Sequence, residues 1–487
     1  MSHFPYRRLP DAGLKLWLPP IVVSGLLWWI SPNSISAREG VLATVLLILP
    51  WYAYGRWQRA GQTRIPMFAL LALAYWAAFA LPLFLAAPPT NPAGDGFRDA
   101  TVYEVLMMAV LGVVAMGIGM EVPLRPIHTA AMPDVSDSPG AWRYLYLVMA
   151  AGTILASRAD WLFVLGNGGH QLMSALANSI PAAICGMLAV RYVEGTATAA
   201  DRAALGAFVA ARIVIGIASG WMGAALFMGV ILALVYMSKY RRLPARAILI
   251  VIPAVLFLQV GKSAFRSVYW AEGKSGGVFE KAGFWLNASF REWDSVFRNQ
   301  DREGSHALIA QSLDRIALLP QAANVLEKTP RSVPFQYGAS YSYLAATLIP
   351  RAVWPDKPSV NDANRFYQVA YGLTTKENLD SVSIAVGCLT ESYMNFGWWG
   401  VGGVMFLIGL LLGLFERTLL AGDSGLLFCG VGLALVIGLL TIESQAAQYV
   451  GGLLQQIAII FAIALPVVRR RKAAHRQSVH LPSARLA

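Results

Sequence analysis

The chain has 487 residues, of which 56% are hydrophobic and only 14% are charged. A soluble domain is charged at about a quarter of its positions, so the composition excludes a purely soluble protein. The net charge of +12 is spread over short connections and the C-terminal tail. This distribution is typical of membrane topology and not of a nucleic-acid-binding face.

Apolar runs that are long enough to cross about 30 Å of hydrocarbon recur along the chain. They predict twelve spans, at residues 14–31, 38–55, 65–87, 102–120, 142–157, 172–190, 203–219, 221–238, 246–261, 392–415, 424–442 and 449–468. The first run ends at Ser31-Pro32-Asn33 without a small-residue cleavage pattern. We therefore interpret it as a retained span and not as a removed signal peptide. The sequence predicts an all-α fold, a polytopic transmembrane helix bundle.

Basic residues are concentrated in every second connection between the predicted spans, and cytoplasmic connections retain Lys and Arg. The short connections at 32–37 and 443–448 contain neither residue. This alternation predicts that both termini are cytoplasmic. The cations assigned to the cytoplasmic side are Arg56, Arg59, Arg64, Arg125, Arg143, Arg191, Arg202, Lys239, Arg241, Arg242, Arg246, Arg417 and the run at 469–472.

The same pattern divides the chain into four parts. Residues 1–261 form an N-terminal bundle of about nine spans, and residues 262–390 form a large periplasmic loop. Residues 391–468 form the C-terminal spans, and residues 469–487 form a basic cytoplasmic tail. A long loop inside a compact protein is usually functional or disordered, and the helical patterns within this one favour a functional loop.

Two helices are predicted inside the large loop. The first has an aromatic face with i, i+3, i+7 spacing, which is typical of a helix that lies at the membrane interface. The second covers 305–319 and ends before Pro320. The aromatic residues of the first helix are Phe284, Trp285, Phe290, Trp293 and Phe297.

The sequence contains no signature of a soluble enzyme: no phosphate-binding glycine loop, no GxSxG elbow and no HExxH motif. Cys185, Cys388 and Cys429 are isolated and lie in or near apolar stretches. They therefore predict neither a disulfide framework nor a zinc site. Glycines such as those in 397–403 are typical of close helix packing.

The sharpest local motif is the proline-rich segment Leu348 to Pro358. Its three prolines prevent a continuous helix and hold Arg351, Asp356 and Lys357 on an extended or turning backbone near the membrane surface. Guanidinium and ammonium groups in such a place suit a lipid-linked phosphate. The alternative is an interfacial turn in which Asp356 pairs with one of the two cations.

Three further cations lie in or near predicted spans. Lys262 and Arg266 are four residues apart where the ninth span ends, and they share one face if the helix continues. They suit an anion there, or they snorkel from the helix end. Arg212 lies inside an apolar run, so it must face the bundle interior and a partner. That partner is an anionic ligand, or Glu104 or Glu121 in a structural ion pair.

Glu391 precedes the tenth span and is a candidate acceptor or base. The competing interpretation is that Thr390 caps the helix and Glu391 lies in its first turn. His170 and His306 are placed on the outer side, as bases or as ordinary surface histidines. A group of loop arginines forms either a basic face or solvated ion pairs with Glu292, Asp301, Glu303 and Asp314. These arginines are Arg291, Arg298, Arg302 and Arg315.

Taken together, three segments resemble the Wzy-like oligosaccharide repeat-unit polymerases, which are related to the O-antigen ligases. The segments are Tyr337-Gly338-Ala339-Ser340-Tyr341, then Ile349 to Pro358, then Glu391-Ser392-Tyr393-Met394-Asn395-Phe396-Gly397. Lys262 to Arg266 and Asp314-Arg315-Ile316 are similar to weaker upstream members of the same pattern. Ligase-like relatives often have an arginine where this chain has Ser219-Gly220-Trp221-Met222-Gly223, and Arg212 either substitutes for it or that part of the site differs.

The resemblance implies a GT-C-like fold and a metal-independent, inverting glycosyl transfer at the periplasmic face, without a cofactor. A growing glycan leaves its undecaprenyl diphosphate carrier and joins a hydroxyl of an incoming lipid-linked repeat unit. A chain-length regulator and a flippase are implied partners, whereas no nucleic acid is.

The roles that follow from the resemblance are divided between charge stabilisation and proton transfer. Arg351, Lys357, Lys262, Arg266 and Arg212 contact pyrophosphate. Glu391 or Asp356 is the base or a glycan contact, and Arg315, Tyr341 and Asn395 complete the substrate-binding set. A ligase that transfers finished glycan to another acceptor, and a flippase or exporter that makes no bond, are the competing functions. A carrier is expected to show paired half-repeats, which this sequence lacks.

Overall fold

The structure is a computed structural model of the chain. It describes residues 13–31, 33–60, 63–85, 89–127, 133–158, 169, 172–298, 313, 316–349, 354, 358–359, 361–379 and 384–470. The predicted helix at 305–319 lies almost entirely outside these residues.

The N-terminal half of the described chain is helical almost throughout. Its helices are α1 (Gly13–Ile30), α2 (Ala37–Ala60), α3 (Met67–Phe79), α4 (Leu81–Leu85), α5 (Asp99–Glu121), α6 (Pro139–Ser157), α7 (Ile180–Glu194), α8 (Ala199–Ser219), α9 (Gly223–Tyr240) and α10 (Ala245–Val260). A π-helical turn, Ala175–Ser179, leads into α7. Thr198 begins α8 with a capping box that includes Asp201, which satisfies two N–H groups of the first turn.

The C-terminal half has shorter helices before the last three apolar ones. They are α11 (Lys262–Arg266), the π-helical turn Ser267–Ala271, α12 (Val278–Arg298), α13 (Leu319–Lys328), the 3₁₀ turn Ala339–Tyr341, α14 (Ser342–Leu348), α15 (Asp362–Ala370) and the 3₁₀ turn Lys376–Asn378, followed by α16 (Gly387–Leu419), α17 (Leu426–Leu439), α18 (Ala446–Ala464) and the 3₁₀ turn Leu465–Val467. Strands β1 (Pro133–Val135) and β2 (Val468–Arg470) pair antiparallel.

Each of the twelve predicted apolar runs overlaps a helix, so the all-α membrane fold is confirmed. Six helices of the described chain are long and apolar enough to cross a membrane, and a bent pair at 245–260 and 262–271 is a seventh candidate. The number of crossings and their orientation stay predictions.

Connections that the charge pattern assigns to one side of the membrane contact each other. Arg64 N donates to Leu420 O at 2.7 Å, and the Gln58 side chain donates to Arg241 O at 2.8 Å. Strand β1, from the connection after α5, pairs with β2 at the end of the last helix. This grouping is what an alternating topology requires.

Helices α5 and α16 pack with their backbones almost in contact. A Cβ added at Gly119 would lie 2.2 Å from Phe406 O, and one added at Gly409 would lie 2.1 Å from Met116 O. Any larger residue at these positions would force the helices apart, which is the role that glycine has in membrane helix pairs. The predicted packing role of the glycines is confirmed here.

Helix α16 is broken at Gly397, where φ is 61° and ψ is −147°. A Cβ on Gly400 would lie 2.2 Å from Ser392 O, although eight residues of a straight helix span about 12 Å. Gly112 likewise faces both Leu389 and Met405, which a straight helix would hold about 24 Å apart. Residues 387–396 therefore fold back along 398–419 as an antiparallel arm, which we call the hairpin arm.

The hairpin arm corrects the predicted boundary between loop and span. The sequence placed the span at 392–415 and Glu391 at its mouth, because the apolar character changes there. The structure begins the long segment after Gly397, and its 398–419 portion is about 33 Å long, enough for one crossing. Glu391 lies on the arm that turns back into the bundle.

The helix predicted for the aromatic stretch of the large loop is confirmed as α12, whereas its place at the membrane interface stays a prediction. Trp285 is 3% exposed and packs with Phe265 at a ring-centroid distance of 5.2 Å. Phe290 on the same helix is 60% exposed. Arg298 forms an i, i+4 ion pair with Asp294 at 2.8 Å. For Arg298 the paired interpretation is therefore correct, with a partner that the sequence reasoning did not name.

Candidate functional site

Two of the three segments that carry the sequence signature meet at the hairpin arm. The backbone N–H groups of Gln336 and Tyr337 donate to Met394 O and Asn395 O at 3.0 and 3.1 Å. Gly338 N donates to the Asn395 side chain at 2.9 Å. The 337–341 segment is thereby fixed against 391–397, although about fifty residues separate them in sequence.

Asn395 is the centre of this contact and is fully buried. Its amide nitrogen donates to the Ser340 hydroxyl at 2.8 Å and to Glu391 O at 2.9 Å, while its amide oxygen accepts from Gly338 N. Both polar atoms of the side chain are therefore hydrogen-bonded, and the bonds to Gly338 and Ser340 join the two segments. A replacement of similar shape that lacks one of these groups leaves a buried partner unsatisfied.

Glu391 is also fully buried, six residues before Gly397, or about 9 Å along the hairpin arm. Its Oε2 accepts from Ala446 N, the first N–H of α18, at 2.7 Å. Its Oε1 is buried and has no hydrogen-bond partner of good geometry among the described residues, and the Ser340 hydroxyl is the nearby side-chain group that interacts with the carboxylate. The carboxylate is held by one oxygen and has the other available for a proton donor.

This arrangement corrects the helix-capping interpretation of Thr390 and Glu391. Their helix begins at Gly387, so Thr390 is inside the first turn and not at its N-cap. Glu391 instead serves the N-terminus of a different helix, α18, where free N–H groups favour an anion. The sequence could not indicate a helix terminus that lies more than fifty residues away.

Two further buried polar residues are sequence neighbours of the two residues in this contact. Gln445 precedes Ala446 and is 1% exposed, and Thr390 is fully buried. The Gln445 amide and the Thr390 hydroxyl form no hydrogen bond within the described part of the chain. Buried groups of this kind normally have a partner. The cluster around Glu391 can therefore take a hydroxyl-bearing ligand or ordered water.

Tyr341 completes the cluster from the 3₁₀ turn. Its ring stacks on Phe396 with centroids 6.2 Å apart. Burial raises the pKa of the Tyr341 hydroxyl, and the nearby Glu391 carboxylate raises it further. The phenol therefore stays protonated at neutral pH, so it can donate a hydrogen bond but is not a base.

Arg212 lies in α8 and is 2% exposed. It donates to the Asn178 side chain at 2.8 Å and to Ala177 O at 3.4 Å, both in the π-helical turn Ala175–Ser179. The predicted alternative of an ion pair with Glu121 is wrong, since Glu121 pairs with Arg56. Arg212 makes no salt bridge within the described residues, and its Nε is buried without a hydrogen bond to any of them.

Helix α18 connects the Arg212 site with the Glu391 cluster. Gln456 accepts from the Ser179 hydroxyl at 3.1 Å, next to Asn178. Ala446, ten residues earlier and about 15 Å away along α18, holds Glu391. Helix α18 thus contacts the turn that holds Arg212 at one position and the Glu391 carboxylate at another.

The proline-rich segment begins against the same helix. Gln455 of α18 donates to Thr347 O, and a Cβ on Gly451 would lie 2.5 Å from the Thr347 hydroxyl. Thr347 is near the end of α14, just before Pro350. The core of the predicted signature lies outside the described residues, as do several other predicted positions. These are Arg351, Asp356, Lys357, Arg315, His170 and His306.

Lys262 and Arg266 do not lie on a straight continuation of α10. The chain bends by 54° between α10 and the segment that begins at Lys262. Lys262 is buried, and the Arg266 guanidinium lies 4.2 Å from the ring centroid of Trp270. The Trp270 indole donates to Ser219 O at 3.0 Å. Arg266 is therefore brought to the end of α8, the helix that contains Arg212.

A cleft of about 860 Å³ lies at the same end of the bundle, between the start of α2 and the start of α5. Arg38, Glu39, Phe97 and Tyr103 are among its lining residues. The next residue of α5, Glu104, lies near enough to Tyr393 of the hairpin arm for an electrostatic interaction. The cleft and the hairpin arm are thus on adjoining sides of α5.

Sequence reasoning missed several groups of this site. Gln445 and Asn178 are neutral polar residues beside apolar runs, where single positions carry little signal. Gly397 was interpreted as a packing residue and as the end of one signature segment, and not as a break in the helix. A glycine that follows an amphipathic stretch and precedes a long apolar run is the one sequence signal that the hairpin offered.

The profile of a family described as "Domain of unknown function (DUF8712)" matches residues 102–437. The match covers more than half of the chain and includes Arg212, the large loop and the hairpin arm. No curated protein and no solved structure matches the chain.

Proposed function

We propose that this chain, which belongs to the DUF8712 family, polymerises oligosaccharide repeat units linked to undecaprenyl diphosphate. The transfer takes place at the periplasmic face of a bacterial inner membrane. In this proposal the bundle crosses the membrane about twelve times, with both termini in the cytoplasm and the large loop outside.

The observation that carries the proposal is the meeting of residues 337–341 with residues 391–397 around a buried carboxylate. These segments are far apart in sequence, and they were singled out by their similarity to the polymerases. Glu391 and Asn395, two residues of the predicted site, are 0% exposed and part of one network. Buried ionisable groups inside a membrane protein are a reason to suspect function.

The chemistry requires a base and a means to offset the charge of the leaving group. The acceptor hydroxyl attacks the anomeric carbon of the donor, and the bond from this carbon to the diphosphate oxygen breaks. Glu391, through Oε1, takes the hydroxyl proton as the new glycosidic bond forms. Asp356 is the other candidate for this role.

Cations near the site then stabilise the departing diphosphate. Arg266 lies beside Ser219 through Trp270, in the region where ligase-like relatives have their arginine. This makes Arg266, more than Arg212, the counterpart of that residue. Arg212, seven residues or about 10 Å below Ser219, keeps one donor available for an anion.

The proposal is tested by Arg351→Ala in a strain whose own gene for this chain is deleted. We expect loss of polymer and accumulation of single repeats on lipid carrier or core, with normal membrane abundance on an immunoblot. Arg331→Ala is the matched control, because Arg331 is an exposed arginine of the same loop.

The band pattern of the deletion strain separates the competing functions. A polymerase leaves single delivered repeats when it is lost, a ligase leaves polymer on the lipid carrier, and a flippase leaves nothing delivered. Full-length glycan from Arg351→Ala would remove Arg351 from the site. Either of the other two deletion patterns would replace the proposed function.

A further inference from the structure

A second cavity lies at the opposite end of the bundle from the hairpin arm. It has a volume of about 610 Å³ and is formed by the ends of α2, α5 and α16 with the connections that follow them. This volume is in the range of small-molecule and headgroup sites. Glu416 is nineteen residues beyond Gly397, or about 28 Å along α16, so this cavity is about one membrane thickness from the hairpin tip.

The floor of the cavity has an acidic group that forms no salt bridge with a described residue. Glu416 lines it, and its carboxylate receives a long hydrogen bond from Met67 N, at 3.4 Å, and a further one from the Thr63 side chain. The charge of the neighbouring Arg417 acts on Glu416, but the Arg417 guanidinium donates its hydrogen bonds to Val122 O and Met120 O. Asp423 adds a second carboxylate to the lining.

The mouth of the cavity has a different character. Arg56 of α2 and Glu121 of α5 form an ion pair there, and both side chains are more than half exposed. Above this pair the wall is apolar and includes Leu49, Val114 and Ile118. Ile118 is 57% exposed and Tyr52 is 44% exposed, which places the opening on the side of the bundle and not at its end.

We infer that this cavity binds the headgroup of a phospholipid that carries a primary ammonium, such as phosphatidylethanolamine. The ammonium meets Glu416 on the floor, the phosphate meets Arg56 at the mouth, and the acyl chains leave along the exposed apolar wall. Charge complementarity selects this headgroup: an anionic headgroup would bring its charge towards two carboxylates. A trimethylated headgroup has no N–H to donate to Glu416.

Native mass spectrometry of the delipidated full-length chain tests the inference. Phosphatidylethanolamine, phosphatidylcholine and phosphatidylglycerol with identical acyl chains are added separately. We expect one retained phosphatidylethanolamine per chain and at least fivefold less of either other lipid. Glu416→Gln should reduce the retained phosphatidylethanolamine to the phosphatidylcholine level, whereas Asp137→Asn, an exposed carboxylate at the same end, should not.

Equal retention of phosphatidylethanolamine and phosphatidylcholine, preferred retention of phosphatidylglycerol, or full retention by Glu416→Gln would each overturn the inference. Ala53→Phe provides a second route if Glu416→Gln does not fold. Ala53 lines the cavity, so the larger side chain should exclude the lipid without changing any charge. Retention by Ala53→Phe equal to that of the unaltered chain would also contradict the site.

Discussion

Replacing Glu391 by glutamine separates its structural role from its chemical one. Glutamine retains an oxygen that can accept from Ala446 N, which Glu391 now does at 2.7 Å. It has no charge and cannot take a proton. We therefore expect Glu391→Gln to fold normally and to lose the contribution of a general base, about 10²- to 10⁴-fold in rate. This corresponds to about 2.7 to 5.4 kcal/mol of transition-state stabilisation.

Glu391→Ala should behave differently because it removes the acceptor as well. It leaves a buried N–H at the start of α18 without a partner, which costs about 1–3 kcal/mol, and it opens space in a fully buried position. We expect lower membrane abundance for this variant in addition to lost activity. The difference between the two substitutions measures the capping contribution of the carboxylate.

The assay compares glycan ladders from deletion strains that express each variant, normalised to membrane abundance. Purified protein with lipid-linked repeat units gives the rate directly. Glu443→Gln is the control, since Glu443 is an exposed carboxylate in the adjoining connection. Polymer of normal length and rate from Glu391→Gln would refute the assignment of Glu391 as base and would leave Asp356 as the remaining candidate.

Two further predictions concern the hairpin arm and the loop. Gly397→Ala should destabilise the protein by about 1–3 kcal/mol, because φ of 61° with ψ of −147° is a conformation that only glycine adopts readily. Thermal unfolding in detergent measures this loss. Gly402→Ala is the control, since a Cβ at Gly402 would meet nothing within 4 Å. An equal unfolding temperature for both variants would contradict the broken helix. Partial burial favours the protonated form of Glu327, but hydrogen bonds from Arg98 N, Thr101 and the Arg98 side chain outweigh it and lower the pKa of Glu327 below 4.5. The stabilisation of the fold by ionised Glu327 is therefore complete above about pH 4.5 and is lost as the pH falls through the lowered pKa of Glu327. Glu327→Gln should flatten the acid side of the plot of unfolding temperature against pH. An unchanged plot would refute this prediction.

The helices were predictable because the apolar runs are long and distinct. All twelve runs overlap helices, and the general expectation that glycines in apolar runs allow close helix packing holds at Gly119 and Gly409, though not at Gly402 and Gly403, where a Cβ would meet nothing within 4 Å. Hydropathy measures the polarity of a segment but not the direction in which its backbone runs. It therefore identified the apolar run around Gly397 but not the reversal of the chain at that residue.

The site residues that lie in the signature segments were predictable from the sequence. The partners that reach them through single tertiary contacts were not. Tyr341, Asn395 and Glu391 were named from the sequence, and the structure joins them in one buried cluster. The partners Ala446 and Asn178 were missed because a helix terminus and a π-helical turn are set by tertiary packing. For the same reason the position of Glu391 relative to the bundle could not be read from its place in the chain.

Helix α17 has fourteen residues and is therefore about 21 Å long, roughly 9 Å less than the hydrocarbon thickness. Most of its residues are buried against other helices. A short helix that faced lipid would make the bilayer thin around it, whereas the burial of α17 keeps most of it away from lipid. In the proposed orientation, the bilayer beside the start of α18 can therefore keep its normal thickness although the helix before it is short.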